Sequence, residues 1–191
     1  MNEIEKQYVY NVYNSISEEF SSTRQYAWPY VKSFIKKLPK YSLVCDVGSG
    51  NGKNMFRNDL TYFATDLSEY MCELSSKKTN NVCQSNILSL PFNDNTFDSV
   101  ISIACIHHLN TAERRKKAIE ECKRILKPNG LMLISVWANS EKYGSGDQYI
   151  KWNNHETKRY YHLFEKDELS NLCDFKHEIV YEKHNYYITS F

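Results

Sequence analysis

The chain has 191 residues, room for one α/β domain with its own core and too few for two. Its 24 Lys and Arg stand against 23 Asp and Glu, a formal net charge of +1. That balance excludes a histone-like polycation and an acidic tail protein, but it leaves room for a basic face on one side. A mean hydropathy of −0.62 is that of a soluble chain, and no apolar run approaches the roughly 20 residues that span a bilayer. No membrane association is expected. The start, Met1 to Lys6, is polar and acidic and shows no signal-peptide pattern. Cys45, Cys72, Cys83, Cys105, Cys122 and Cys173 form no C-x-x-C pair. They read as reduced, packed thiols of a cytoplasmic protein, with a nuclear location also compatible and no metal site expected.

Residues 1–40 read as helical. Tyr8, Val12, Ile16 and Phe20 recur at helical spacing, with Val9 and Tyr13 beside them. Pro29 suits the first turn of a second helix, whose apolar stripe is Val31, Phe34, Ile35 and Leu38. From Ser42 the pattern changes to short apolar runs separated by turns and helices. Residues 43–47 predict a buried strand and 62–66 a second. A helix with Met71, Cys72 and Leu74 inward leads to a short third strand at 81–85. Residues 97–105, mostly apolar, predict a strand buried on both faces. Asn110, with Glu113 three residues on, predicts a capped helix start. Ala118, Ile119, Cys122, Ile125 and Leu126 form the buried side of that helix. Lys127-Pro128-Asn129-Gly130 stops it, and 131–137 is a fifth strand. A polar stretch then runs to about Arg159. A helix near 165–173 and a hairpin of 179–182 with 186–189 close the chain. Five β–α alternations imply a mostly parallel sheet with helices on both faces. With the C-terminal antiparallel hairpin the expected sheet has seven strands. One domain is expected: a helical cap over 1–41 and a core over 42–191, with a substrate-side loop at 139–158.

The strongest chemical signal is Asp46-Val47-Gly48-Ser49-Gly50-Asn51-Gly52-Lys53, directly after the first strand. Glycines permit positive φ and let a ligand lie against bare backbone. In an open α/β sheet the ligand crevice lies at the carboxyl ends of the strands. Asp66, at the end of the second strand, suits both hydroxyls of a ribose. A dinucleotide fingerprint needs its third glycine at position 53, where pyrophosphate meets a helix N-terminus. Lys53 stands there, and the glycine falls at Gly52. The acid followed by G-x-G-x-G resembles the first motif of class I methyltransferases, a Rossmann-like α/β fold that binds S-adenosylmethionine. Residues 90–98 and 126–130 resemble the turns before that fold's fourth and fifth strands. The resemblance assigns cofactor contacts to Asp46, Gly48, Ser49, Gly50, Gly52, Asp66, Leu67, Asn86, Ile87 and Ile103. Asn86 stands where this fold often has an Asp on the adenine amino group. Its amide oxygen can still accept that bond, with less charge assistance.

Five further segments narrow the resemblance: residues 5–16, 23–29, 102–115, 136–138 and 159–164. In order, they are similar to the eukaryotic tRNA wobble-uridine carboxymethyl methyltransferases. That family includes the methyltransferase domain of an AlkB-type dioxygenase fusion. The resemblance implies esterification of the carboxylate of 5-carboxymethyluridine at tRNA position 34. It also implies a small zinc-binding activator subunit as partner. Two departures concern the substrate side. The stretch between Trp137 and Arg159 is short, and Gln148-Tyr149-Ile150-Lys151 lacks the Pro that usually precedes the family's Trp.

A carboxylate nucleophile is already ionised at pH 7, so methyl transfer to it needs no general base. It needs alignment and a cationic holder, for which a planar guanidinium is suited. Arg24 and Arg159 are the candidates. His108, just past the fourth strand, is expected to line the substrate pocket together with Trp137, which is placed to stack on an unpaired anticodon base. Residues 110–130 carry seven basic and three acidic side chains, a candidate phosphate-contacting helix. The short apolar third strand, around Val82–Ser85, is expected as a sheet edge that the activator covers by strand addition. Two other readings stand beside this one: a small-molecule O- or C-methyltransferase, and a non-catalytic methyltransferase-like binding module.

Overall fold

The computed structural model describes residues 1–152 and 156–190. Asn2 opens the N-terminal helical segment by accepting the Glu5 N–H at 2.9 Å. The segment runs as α1 (Glu3–Glu5), a π turn (Lys6–Tyr10), α2 (Asn11–Ser15) and α3 (Ser17–Thr23), with a break at Ile16. Val12 and Ile16 of the expected stripe are buried, and they pack against Trp152. α4 (Pro29–Lys37) begins on Pro29 as the sequence predicts and buries Val31, Phe34 and Ile35.

The core alternates as β1 (Leu43–Val47), β2 (Thr61–Asp66), α5 (Glu69–Ser76), β3 (Val82–Gln84) and β4 (Phe97–Ile103). A 3₁₀ turn (Ile106–His108), α6 (Ala112–Ile125) and β5 (Leu126–Trp137) follow. Then come β6 (Gly146–Lys151), β7 (Lys158–Leu163), α7 (Lys166–Asn171), β8 (His177–Glu182) and β9 (Asn185–Ser190). The main sheet has seven strands in the order β3-β2-β1-β4-β5-β9-β8. The five from β3 to β5 are parallel, and the β8–β9 hairpin adds antiparallel to β5. Strand side chains alternate between two layers. Val44, Ile101 and Leu133 face α4, whereas Cys45, Val100 and Ile134 face α6 and α7. The strand order reverses between β1 and β4, and their carboxyl ends open the crevice expected there. All six cysteines are free. Among the described residues, no helix is long and apolar enough to cross a membrane.

Two expectations are corrected. Thr111, not Asn110, caps α6: it has the extended backbone a cap requires, and its hydroxyl accepts the Arg114 N–H at 3.3 Å. Asn110 instead gives its N–H to Glu5 Oε1 at 3.1 Å. The stretch 139–158 is not a loop either. It carries β6 and the first residue of β7, which pair as an antiparallel ribbon, and residues 153–155 of the expected loop lie outside the described residues. β6 escapes a sequence reading because only Ile150 is buried, and Tyr149 stands exposed between polar residues. In β7, every residue from Arg159 to Leu163 is buried, so this ribbon roofs the crevice.

Candidate active site

Gly48 takes φ +72°, and a Cβ there would stand 2.4 Å from Cys105 Sγ, so only glycine lets the loop lie against the end of β4. Gly50, at φ +55°, faces open space, where a Cβ would meet only Phe20 at 3.7 Å. Asp66 clamps this loop from β2. Its two oxygens accept the Gly50 N–H at 2.9 Å and the Ser68 N–H at 3.0 Å. Each oxygen keeps a lone pair for a further donor, which suits a ribose diol. Burial raises the Asp66 pKa against these two bonds. The hydroxyls of Ser49 and Ser85 line the same cavity, and neither has a partner among the described residues. Asn86 lines it too, with its amide oxygen accepting the Leu88 N–H at 3.0 Å. Bare glycine backbone, a diol acceptor and unpartnered hydroxyls fit the expected S-adenosylmethionine.

β4 ends abruptly. Ala104 adopts φ +57°, a left-handed conformation that costs a non-glycine residue about 1–2 kcal/mol. Two bonds fix it: its N–H donates to the Ser135 carbonyl and hydroxyl, both at 3.0 Å. The turn that follows carries His107 and His108 into the cavity wall. The Trp137 N–H donates to His107 Nδ1 at 3.0 Å. His108 Nδ1 lies 2.7 Å from the Tyr160 carbonyl, which can only accept, so the ring carries its proton there. His108 Nε2 therefore accepts from the Tyr13 hydroxyl at 2.9 Å. Burial, then the neighbouring Arg159, holds His108 neutral with a pKa near 3, the Tyr160 bond opposing. His107 is likewise held well below its ordinary value by burial and His108. Neither imidazole is a free base; both fix the wall.

The roof brings the two arginines together. Arg24 lies 4.5 Å and Arg159 4.6 Å from the ring of Trp152, which is fully buried. Arg159 is 5% exposed, its Nη1 donates to the Tyr13 hydroxyl at 3.4 Å, and its Nε has no partner among the described residues. No salt bridge reaches either guanidinium among the described residues, although the Glu19 charge acts on Arg24. Burial, then Arg159, lowers the Arg24 pKa. Trp137 stacks on Tyr161 with ring centres 4.4 Å apart and planes 15° apart. Thus Arg24, His108, Trp137 and Arg159 line one cavity together with Gly48, Ser49, Gly50, Asp66, Leu67, Asn86, Ile87 and Ile103.

Two expected contacts lie elsewhere. Asp46 is fully buried in β1 beneath the loop, held by Asn54 Nδ2 at 3.4 Å, with its Oδ1 unpartnered. Burial raises its pKa to about 7. Gly52 turns away, its Cβ position filled by Met55, Lys78 and Ser75. Both shape the loop from behind, where no ligand reaches. Tyr13 and Tyr161 are the wall residues that sequence reasoning did not single out; Tyr13 stood in the expected helical stripe, and Tyr161 in the Arg159-Tyr160-Tyr161-His162 segment.

The basic helix is a further correction. Six of its seven cations are ion-paired: Arg114 with Glu5, Arg115 with Glu168, Lys117 and Arg124 with Glu121, Lys123 with Asp174, and Lys127 with Asp98. This surface offers little free charge to a phosphate backbone.

A family profile described as "Methyltransferase domain" matches residues 45–134. The tRNA (carboxymethyluridine(34)-5-O)-methyltransferase of Arabidopsis thaliana is 44% identical over 141 residues, 73% of this chain. The chain spans 35% of that protein's length. A putative methyltransferase of Encephalitozoon cuniculi is 35% identical over 181 residues, 88% of this chain and 86% of that protein. Among solved structures, a chain in the complex between the Haloferax volcanii Trm112 methyltransferase activator and the putative methyltransferase superposes with a TM-score of 0.55. It is 20% identical, covering 70% of this chain and 62% of that one. The chain belongs to the S-adenosylmethionine-dependent methyltransferase family that includes the tRNA (carboxymethyluridine(34)-5-O)-methyltransferases.

Proposed function

We propose that the chain methylates the carboxylate of 5-carboxymethyluridine at the wobble position of a tRNA, giving the methyl ester. One observation carries this reading. Arg24 and Arg159 converge on Trp152 at the cavity, where burial and then Arg159 lower the Arg24 pKa, Arg159 by more than the charge of Glu19 raises it. Two cations held together repel, and an incoming anion relieves that repulsion. A carboxylate is ionised at pH 7 and attacks without a base. This agrees with a wall whose histidines are neutral and already hydrogen-bonded.

S-adenosylmethionine, when bound, supplies a methyl group on a sulfonium. The Gly48–Gly50 backbone, Asp66, Ser85 and Asn86 are the residues that hold it. Arg24 and Arg159 hold the carboxylate, and the Trp137–Tyr161 stack walls the base. His108 positions Tyr13, whose hydroxyl in turn meets Arg159. Alignment of this kind supplies much of the rate of a displacement. The test is turnover of an anticodon stem-loop bearing 5-carboxymethyluridine, read by nucleoside mass spectrometry. A methyl ester is the expected product. Absence of product from an enzyme that binds S-adenosylmethionine and the RNA overturns the reading.

The activator belongs to the same proposal. β3 is a three-residue edge strand with Val82 and Cys83 half-buried. A small zinc-binding partner pairing along Val82–Ser85 would cover it. The Haloferax neighbour, in a complex with the Trm112 methyltransferase activator, supports an activator as the partner class. The Gln84 N–H points to the open edge, away from β2, so replacing the exposed Gln84 with Pro should abolish co-purification of the partner and leave the fold intact. Undiminished co-purification removes this docking site.

A further inference from the structure

A second cavity of about 480 Å³ lies beside the first, within the range of small-ligand pockets. The two share a wall, because Trp28 and Trp137 line both. Tyr143 and the turn between β8 and β9 form the opposite side of the second. Three exposed basic groups stand on its rim. Lys142 lies with Nζ 4.8 Å from the centre of the Tyr143 ring, and Lys183 and His184 occupy the turn. None of the three has an ion-pair partner among the described residues. This contrasts with α6, where carboxylates neutralise nearly every cation. The floor holds Glu182 and the buried Asn185, and each carries an acceptor oxygen with no partner among the described residues.

Aromatic walls, rim cations and unpartnered acceptors are the chemistry that holds a single-stranded nucleotide. The base stacks, the phosphodiester meets ammonium groups, and the base N–H edge finds acceptors. The shared Trp28–Trp137 wall makes the two cavities neighbours. We propose that the second cavity receives the nucleotide adjacent to the modified uridine in the same RNA chain. This rests on the tRNA reading above and adds to it a reader of the neighbouring base.

The experiment uses the chain with S-adenosylhomocysteine and three anticodon stem-loops carrying 5-carboxymethyluridine. One is intact, and the others are abasic on the 5′ or the 3′ side of that nucleotide. Wild type should bind one of the abasic RNAs about tenfold more weakly than the intact one, the size of one lost base stack. Tyr143→Ala should erase that difference. The surface variant Lys142→Glu/Lys183→Glu, which touches no core, should weaken the intact RNA about tenfold and leave S-adenosylhomocysteine affinity unchanged. Equal binding of all three RNAs by wild type, or charge reversal without effect, overturns the proposal. Wild type that binds S-adenosylhomocysteine but no RNA overturns the tRNA reading, and this one with it. The two failures are therefore told apart.

Discussion

Helix α6 and the roof of the crevice are both rich in cations, and they use them in opposite ways. Along α6 and the start of β5, carboxylates from the N-terminal segment, from α6 itself, from the β4 side and from the α7 end meet six of seven basic groups. Their charge holds the helix to its neighbours. In the roof, Arg24 and Arg159 meet aromatic rings and each other, and the Arg159 charge outweighs that of Glu19 at Arg24. Exposed pairs of the first kind contribute little each. The second kind costs stability until an anion arrives, and such a cost persists where function uses it. Local charge density in the sequence is therefore a poor guide to where a polyanion binds, and the absence of a partner is a better one.

The contrast is easiest to break at Arg159. Arg159→Met should cut turnover of the carboxymethyluridine stem-loop at least a hundredfold, about 3 kcal/mol of transition-state stabilisation. It should leave the melting temperature equal or higher, because an unpaired buried cation is removed. Destabilisation with turnover intact would place Arg159 among the structural cations instead. A second test uses Asp46, which burial lifts from its ordinary 3.8 to about 7. The folded chain holds this proton more tightly than the unfolded one. The contribution is complete below pH 3.8 and is lost as pH rises through 7. Relative to Asp46→Asn, wild-type stability should fall by about 1.4 kcal/mol per pH unit between pH 4 and 7 and run parallel above. Denaturant midpoints across that range measure it, and parallel curves throughout refute it.

On the α6 side the signs reverse. Arg124→Met should cost about 2 kcal/mol of stability, since it strips a bidentate partner from Glu121, whose side chain is 7% exposed. Turnover at permissive temperature should not change. The smallest effect belongs to Lys116, the one cation of this helix without a carboxylate partner among the described residues. Lys116→Ala should alter RNA affinity less than twofold in a filter-binding titration. A tenfold loss there would return α6 to the RNA surface.

The seven-stranded sheet was legible because its strands are short apolar runs of distinct period, and the glycine turn because only certain residues permit it. β6 and β7 were hidden for a physical reason. A ribbon whose outer face is mostly polar and whose inner face packs on a helical cap, not on the main core, shows no run of apolar residues. The site residues Arg24, His108, Trp137 and Arg159 came from motif resemblance. Their convergence did not, since it depends on Trp152, a residue that meets Val12 and Ile16 only after the chain has folded back on itself. The reach of Asp46 was misjudged because a motif gives an order of residues, but not which face of a strand each one takes.

The contact from His108 to Tyr13 and on to Arg159 joins positions 95 and 146 residues apart in the chain. During synthesis, a chain emerging from the ribosome has its glycine loop, Asp66 and Asn86 long before β7 exists. It therefore has the cofactor loop with only Arg24 of the two arginines that hold a carboxylate. Closing such distant segments is among the slow steps of folding. Methyl transfer thus reports completion of the fold, and a half-made chain that has loaded its cofactor stays chemically silent.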